Sequence, residues 1–227
     1  MSAPDHDVWL FAYGSLMWRP GIAYAEARRA RLVGYRRCFS IFSVHHRGTP
    51  ERLGMVLGLD RGGVCEGMAY RIAAPEVAET RQYLRARELI NGVYREAFVP
   101  VELEREPRAE VLALTYIVER AHPNYAGGLP LAKQARLIKG AKGISGANLD
   151  YLVSTVRHLR ELGIREPELE RLITMIGPLA WHRSRAQHTS PYAAAVIQAQ
   201  RMRPPPVRRR ARKDERRRFV HRLRVGS

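Results

Sequence analysis

A chain of 227 residues, 45% of them hydrophobic, can bury a proper core as one domain with extensions or as two small domains. No apolar run approaches the eighteen or so residues of a membrane span. Residues 1–7 are polar and slightly acidic, unlike a signal peptide. Cys38 and Cys65 fit no zinc or Cys-x-x-Cys spacing, so two free thiols in a reducing, cytoplasmic setting are expected. The formal charge is +17, but residues 201–227 hold eleven Arg and one Lys against Asp214 and Glu215. That is +10 in the tail, which leaves +7 for residues 1–200. Basicity therefore describes the tail more than the fold. The run Arg208-Arg209-Arg210-Ala211-Arg212-Lys213 reads either as a solvated extension or as a patch that binds polyanions weakly.

In chain order, Val8-Trp9-Leu10-Phe11-Ala12 reads as a buried strand. Tyr13-Gly14-Ser15-Leu16-Met17 follows it. Gly-Ser turns the chain and exposes backbone N–H groups, which makes either an ordinary turn or a cradle for a carboxylate or an oxyanion. Residues 31–44 read as a long strand bent at Gly34, and residues 45–50 as a loop ending in Gly and Pro. Residues 54–60 and 64–72 read as two strands joined by a hairpin turn at Asp60-Arg61-Gly62-Gly63. Pro75 suits the first turn of a helix that Asn91-Gly92 stops. Residues 95–103 and 111–119 read as strands. Leu149, Leu152, Val153, Val156 and Leu159 follow a helical period that Gly163 ends, and residues 167–176 form another helix. Ser190-Pro191 opens a weak, Ala-rich helix that Pro204-Pro205-Pro206 closes. Strands first and helices second predict an α+β fold, and the six strands could close as a barrel.

Few residues invite chemistry. Val77, Leu84 and Glu88 lie within roughly 40° of one another on a helix. If Val77 and Leu84 face the core, Glu88 does too. A carboxyl there is either paired, with Arg87 the nearest partner, or raised in pKa and fit to serve as base and then acid. Adjacent His45 and His46 point opposite ways on a strand and have no carboxylate at ligand spacing, so no metal is expected. Ser15 lacks the Gly-x-Ser-x-Gly elbow of a nucleophile. Neither Gly127-Gly128 nor Gly140 to Gly143 carries the Lys-Ser/Thr of a phosphate loop.

Six pieces in order carry a resemblance. They are Tyr13-Gly14-Ser15-Leu16 with Trp18 and Pro20, His46-Arg47-Gly48-Thr49-Pro50, Gly67-Met68-Ala69-Tyr70-Arg71, Arg87-Glu88, Pro123-Asn124-Tyr125, and Gly143-Ile144-Ser145-Gly146-Ala147-Asn148 with Tyr151-Leu152. Together they resemble the ChaC-like γ-glutamylcyclotransferases over about residues 8–176. The resemblance implies a mixed barrel with flanking and C-terminal helices. It implies cleavage of glutathione to 5-oxoproline and cysteinylglycine without metal or cofactor. It also implies a substrate loop of Leu10, Phe11, Ala12, Tyr13, Gly14 and Ser15, with Glu88 as the catalytic carboxyl. Three departures stand out. Ala12 replaces the usual Gly before Tyr, His45 replaces an Asp before His-Arg-Gly, and residues 89–94 outrun the usual Lys-Gly-Gly-Tyr. We expect a cyclotransferase domain over residues 1–181 and a basic extension over 182–227. The alternatives are another γ-glutamyl substrate, or a nucleic-acid-binding protein acting through the tail. Oligomeric state stays open.

Overall fold

The computed structural model of the chain describes residues 6–104 and 108–177. Five strands close into a barrel in the order β1-β3-β2-β4-β5. They are β1 (Val8–Ala12), β2 (Glu26–Ser43), β3 (Gly54–Ile72), β4 (Tyr94–Leu103) and β5 (Ala109–Val118). Neighbours run antiparallel except at the seam, where β5 lies parallel to β1 with Trp9 opposite Ala113 and Leu10 opposite Leu114. Closure leaves the sheet no open edge.

Two apolar clusters divide the strands' faces. Phe11, Leu32, Leu59, Cys65, Ala69, Val101, Ala113 and Ile117 belong to a cluster drawn from all five strands and from no helix, which is the barrel interior. The opposite face, with Leu10, Phe39, Met55, Leu57, Met68, Tyr70 and Leu114, packs against the helices. β1 is thus covered on both sides, which is why its sequence is continuously apolar rather than alternating. The helices are α1 (Val77–Glu88), α2 (Leu131–Gly140), α3 (Asn148–Glu161) and α4 (Pro167–Ile176). Of the predicted α3 stripe, Leu152, Val153, Val156 and Leu159 are fully buried and Leu149 is half-buried, and Gly163 ends the segment with φ 73°. On α1 the inward residues are Val77, Thr80 and Leu84. Each fully buried Leu or Val contributes about 1.5–3 kcal/mol.

One sequence expectation fails. Asp60-Arg61-Gly62-Gly63 is not a hairpin turn, because β3 runs unbroken for 19 residues along β2. The register jumps between the pairs Val33–Val64 and Tyr35–Arg61, so Gly62 and Gly63 oppose the single Gly34. All three have positive φ, at 100°, 78° and 87°. Two residues against one is a β-bulge, which bends a long ribbon so that it can join a barrel. A Gly-Gly pair supplies positive φ equally well to a turn or to a bulge. The deciding factor is the length of β2, which starts at Glu26 rather than residue 31 and continues past the bend on both sides. The barrel therefore has five strands, not six. Sequence reading also did not delimit α2. The expected helix from Ser190 and the basic extension 182–227 lie outside the described residues.

Candidate active site

The segment after β1 is held from several directions. The Thr115 hydroxyl of β5 donates to the Phe11 carbonyl at 3.0 Å. The Tyr70 hydroxyl of β3 donates to the Met17 carbonyl at 2.7 Å. From α1, Arg87 donates to Ser15 Oγ at 2.8 Å and to the Arg19 carbonyl at 3.0 Å. Arg37 of β2, its side chain fully buried, donates to the Tyr13 and Glu66 carbonyls and pairs with Glu166 just before α4. Trp18 stacks on His158 of α3, ring centroids 4.7 Å apart and planes 12° from parallel. Residues 15–17 close this segment as a short 3-10 turn, with the Met17 N–H on the Gly14 carbonyl at 2.9 Å. The opening N–H groups of such a turn have no partner within it. Here they belong to Ser15 and Leu16.

Those two residues, with Phe11, Tyr13 and Gly14, line a small pocket together with Glu88. Leu57, Tyr94, Tyr116 and Tyr151 complete it. Of the six residues expected to form the substrate loop, four reach this pocket. Leu10 and Ala12 are strand residues that pack beneath the helices instead. A Cβ placed on Gly14 would meet nothing within 4 Å, so the space beside it is open.

Glu88 satisfies both readings the sequence allowed. Its Oε1 lies 3.1 Å from Arg87 Nε, and its side chain is 18% exposed. Burial pushes its pKa above the ordinary carboxyl value, and the charge and hydrogen bond of Arg87 pull the other way without cancelling it. The surrounding tyrosines are neutral phenols. Burial raises Tyr13 and Tyr94 well above their usual value and pushes Tyr151 up to about 12. The Tyr94 hydroxyl donates to the Leu57 carbonyl at 2.7 Å, and the Tyr151 phenol also bonds the Leu57 main chain.

Two of the sequence motifs act together to place Tyr151. Asn148 brackets the Met55 main chain, accepting from its N–H at 2.6 Å and donating to its carbonyl at 2.8 Å. Arg47 donates to the Ser145 carbonyl and lies 5.1 Å above the Tyr151 ring. His46 Nδ1 pairs with Ser145 Oγ at 3.0 Å, and the Ile144 N–H reaches the His45 carbonyl at 3.0 Å. Both histidines thus help dock the turn that carries Asn148. Gly48 and Gly54 approach too closely for side chains, since a Cβ on Gly48 would sit 2.1 Å from the Gly54 nitrogen. Tyr125 belongs elsewhere: with Arg120 it holds the buried Asp60 beside the bulge, at 2.9 and 2.7 Å.

Sequence reading missed Arg37, Tyr94, Tyr116 and Tyr151 as residues of this site. Arg37 carried a signal, a basic residue inside an apolar strand stretch, which implies a buried partner. Tyr116 on β5 looked like an ordinary strand residue, and Tyr94 was read as the end of the 89–94 segment rather than as the first residue of β4. A wider cleft at the β4–β5 end is lined by Arg31, Glu102, Leu103, Glu104, Arg108, Ala109 and Glu110. Its charges pair with neighbours, Arg31 with Glu102 at 3.5 Å and Glu104 with Arg29 at 3.3 Å. It lacks a buried acid, and the Glu88 pocket is the better place for chemistry. Cys38 and Cys65 are free and buried, and burial pushes both thiols up to about 11. No helix among the described residues is long and apolar enough to cross a membrane.

This α+β barrel with its acid-walled pocket is the fold of the γ-glutamylcyclotransferases. It superposes on a crystal structure of a glutathione-specific γ-glutamylcyclotransferase from yeast with TM-score 0.68 and 22% identity, covering 82% of this chain and all of that one. Residues 8–178 match the model of the ChaC-like protein family, and the chain belongs to that family. It is 33% identical over 177 residues to the glutathione-specific γ-glutamylcyclotransferase of Escherichia coli strain K12, covering 78% of this chain and 76% of the relative. It is likewise 33% identical over 176 residues to glutathione-specific γ-glutamylcyclotransferase 1 of Mus musculus, covering 76% and 79%.

Proposed function

We propose that this protein is a glutathione-specific γ-glutamylcyclotransferase with Glu88 as its general acid and base. The carrying observation is that Glu88 and the Tyr13-Gly14-Ser15-Leu16 turn, distant in sequence, form two walls of one pocket and are joined through Arg87. The reaction is an intramolecular aminolysis. The ionised Glu88 carboxylate takes a proton from the substrate's α-ammonium. The freed amine attacks the γ-carbonyl, and a C–N bond forms to close a five-membered ring. The carbonyl's electron pair moves onto oxygen, where the main-chain N–H groups of Ser15 and Leu16 can hydrogen-bond it. Glu88 passes its proton to the departing cysteinyl nitrogen as the oxygen's electron pair re-forms the carbonyl and the old C–N bond breaks. The second proton on the ring nitrogen then moves through the Glu88 carboxylate to the released amine, leaving a neutral lactam and an ammonium. Both reactants sit in one molecule, so holding the cyclising conformer supplies much of the acceleration. That need explains a turn restrained from β2, β3 and α1 at once. One carboxyl of raised pKa is suited to these proton transfers, and the scheme uses no enzyme nucleophile or cofactor.

The segment Leu89 to Tyr94 borders Glu88 and departs from the family pattern, and Ile90 within it is 71% exposed. This favours one second reading, a related γ-glutamyl compound with a different leaving group. Incubating purified protein with glutathione and reading out 5-oxoproline tests the first. Formation of 5-oxoproline and cysteinylglycine is expected. Efficient release of 5-oxoproline from another γ-glutamyl compound, with glutathione inert, would replace glutathione as the substrate. We take residues 182–227 to be an appended basic extension with weak polyanion affinity, and the compartment to be the cytoplasm, consistent with two free thiols.

A further inference from the structure

Among the described residues, five buried side-chain polar atoms have no hydrogen-bond partner: Arg29 Nε, Arg81 Nε, Gln134 Oε1, Thr155 Oγ1 and the Tyr116 hydroxyl. Only Tyr116 lines the Glu88 pocket. An unpaired buried hydroxyl is costly, and such groups recur where a ligand completes them. Tyr116 is 1% exposed and held by the β5 ladder opposite Glu96. Glu96 does not take its proton, being paired with Arg81 and twice with Arg85 at 2.9 Å. Tyr94 and Tyr151, on the same pocket, already spend their phenols on the Leu57 main chain. Among the pocket's tyrosines, which include Tyr13, Tyr116 is the one whose hydroxyl oxygen is buried without a partner.

We propose that the Tyr116 hydroxyl oxygen accepts a hydrogen bond from the substrate's α-nitrogen, orienting that nitrogen while Glu88 takes one of its protons. The assignment rests on the cyclotransferase reading above. The walls of the pocket differ in sign. Ser15 and Leu16 offer main-chain N–H groups, with the Arg87 guanidinium bonded to Ser15 Oγ. Glu88 and Tyr116 line the same pocket, and the Glu88 charge acts on the Tyr116 phenol. A γ-glutamyl head has a cationic nitrogen and anionic or carbonyl oxygens, and only one orientation matches both walls: nitrogen toward Glu88 and Tyr116, oxygens toward the turn. An ammonium has three N–H bonds. One proton leaves to Glu88, and one points at the phenol oxygen. The lone pair emerges along the N–H bond that Glu88 breaks, and rotation about the Cα–N bond then turns it to the γ-carbonyl while the phenol oxygen keeps the nitrogen in place. Burial keeps the phenol protonated, and a neutral phenol has lone pairs to offer a cation.

Tyr116→Phe removes one oxygen and keeps the ring. The full-length wild type and variant are compared on thermal stability, on kcat/KM for glutathione, and on inhibition by the desamino analogue, in which a glutaryl group replaces γ-glutamyl. Expected are a Tm unchanged or higher, kcat/KM lower by about tenfold to a hundredfold, and analogue affinity within about twofold of wild type. The first separates a ligand role from a structural one, since a hydroxyl that stabilised the fold would lower Tm when lost. The third separates nitrogen from oxygen recognition. Unchanged turnover overturns the assignment, as does a lower Tm that accounts for the activity loss. An analogue that weakens as much as glutathione also overturns it, placing the hydroxyl on a substrate oxygen. If the wild-type protein releases no 5-oxoproline at all, the function reading fails and the assignment falls with it.

Discussion

Glu88→Gln should separate stability from activity. Gln has the shape of Glu but cannot accept and return a proton. Loss of a positioned general base costs about a hundredfold to ten-thousandfold in rate, equivalent to roughly 3–5.5 kcal/mol of transition-state stabilisation. The fold should not suffer. The carboxyl is mostly buried and its folded pKa lies above the unfolded value. For such an acid the ionised form is disfavoured by folding. Its charge therefore costs stability above the folded pKa. That cost fades as pH falls through the folded value and is gone below the unfolded one. Gln removes the penalty at neutral pH and gives up only the partly exposed pair with Arg87, worth about 0–1 kcal/mol. Arg87 retains Ser15, the Arg19 carbonyl and Tyr83. The assay is kcat/KM for glutathione beside urea unfolding at pH 7, with the wild-type pH profile measured in parallel. Wild-type kcat/KM should fall on the acid side at a pH above the ordinary carboxyl range, as Glu88 protonates. Ordinary turnover by a folded Gln variant would refute the base assignment, and marked destabilisation at pH 7 would refute the electrostatic reasoning.

Four further outcomes follow from the structure. Arg37→Met should cost about 3–5 kcal/mol in urea unfolding, because Glu166 loses its partner and the Tyr13 and Glu66 carbonyls lose their donor; an unchanged midpoint would mean that the turn does not depend on this side chain. Gly67→Ala places a Cβ 2.3 Å from the Ala12 carbonyl and should cost about 1–3 kcal/mol, read by the same titration. Gly14→Val should stay folded and lose turnover, since its side chain enters the open space of the pocket; a fully active variant would place the substrate elsewhere. Truncation after Arg203 should leave turnover within about twofold and abolish salt-sensitive polyanion binding; an inactive but folded truncation would make the extension part of the catalytic unit.

What could be read from the sequence depended on the range of the forces involved. The α3 stripe and the inward face of α1 were legible because helical periodicity is local. Glu88 was legible for the same reason: Val77 and Leu84 on its own helix set the face on which it lies. The bulge at Gly62 and Gly63 was not, because local chemistry cannot distinguish a turn from a kink. That choice is made by Gly34, nearly thirty positions away, and by the length of β2. Arg37 announced a buried partner without naming it, and the partners proved to be two carbonyls and Glu166, which only the folded barrel brings together.

The same distinction explains why the site's motifs are scattered. An intramolecular cyclisation asks little of side-chain chemistry and much of rigidity, so one acid suffices and the remaining requirement is a pocket that does not yield. A turn as short as Tyr13 to Met17 cannot be rigid by itself. Its restraint comes from Arg37, Tyr70 and Arg87, which bond to two carbonyls and one hydroxyl along it, while Thr115 holds the Phe11 carbonyl in the strand just before it. The far wall is built likewise, with Asn148 and Arg47 clamping the element that carries Tyr151. Each motif is therefore a contact between distant parts of the chain rather than a piece of local machinery. The hydroxyl of Tyr116 differs from these clamps: it is oriented by its strand yet buried with no hydrogen-bond partner, and a fold so thorough in restraining its pocket leaves such a group for the substrate.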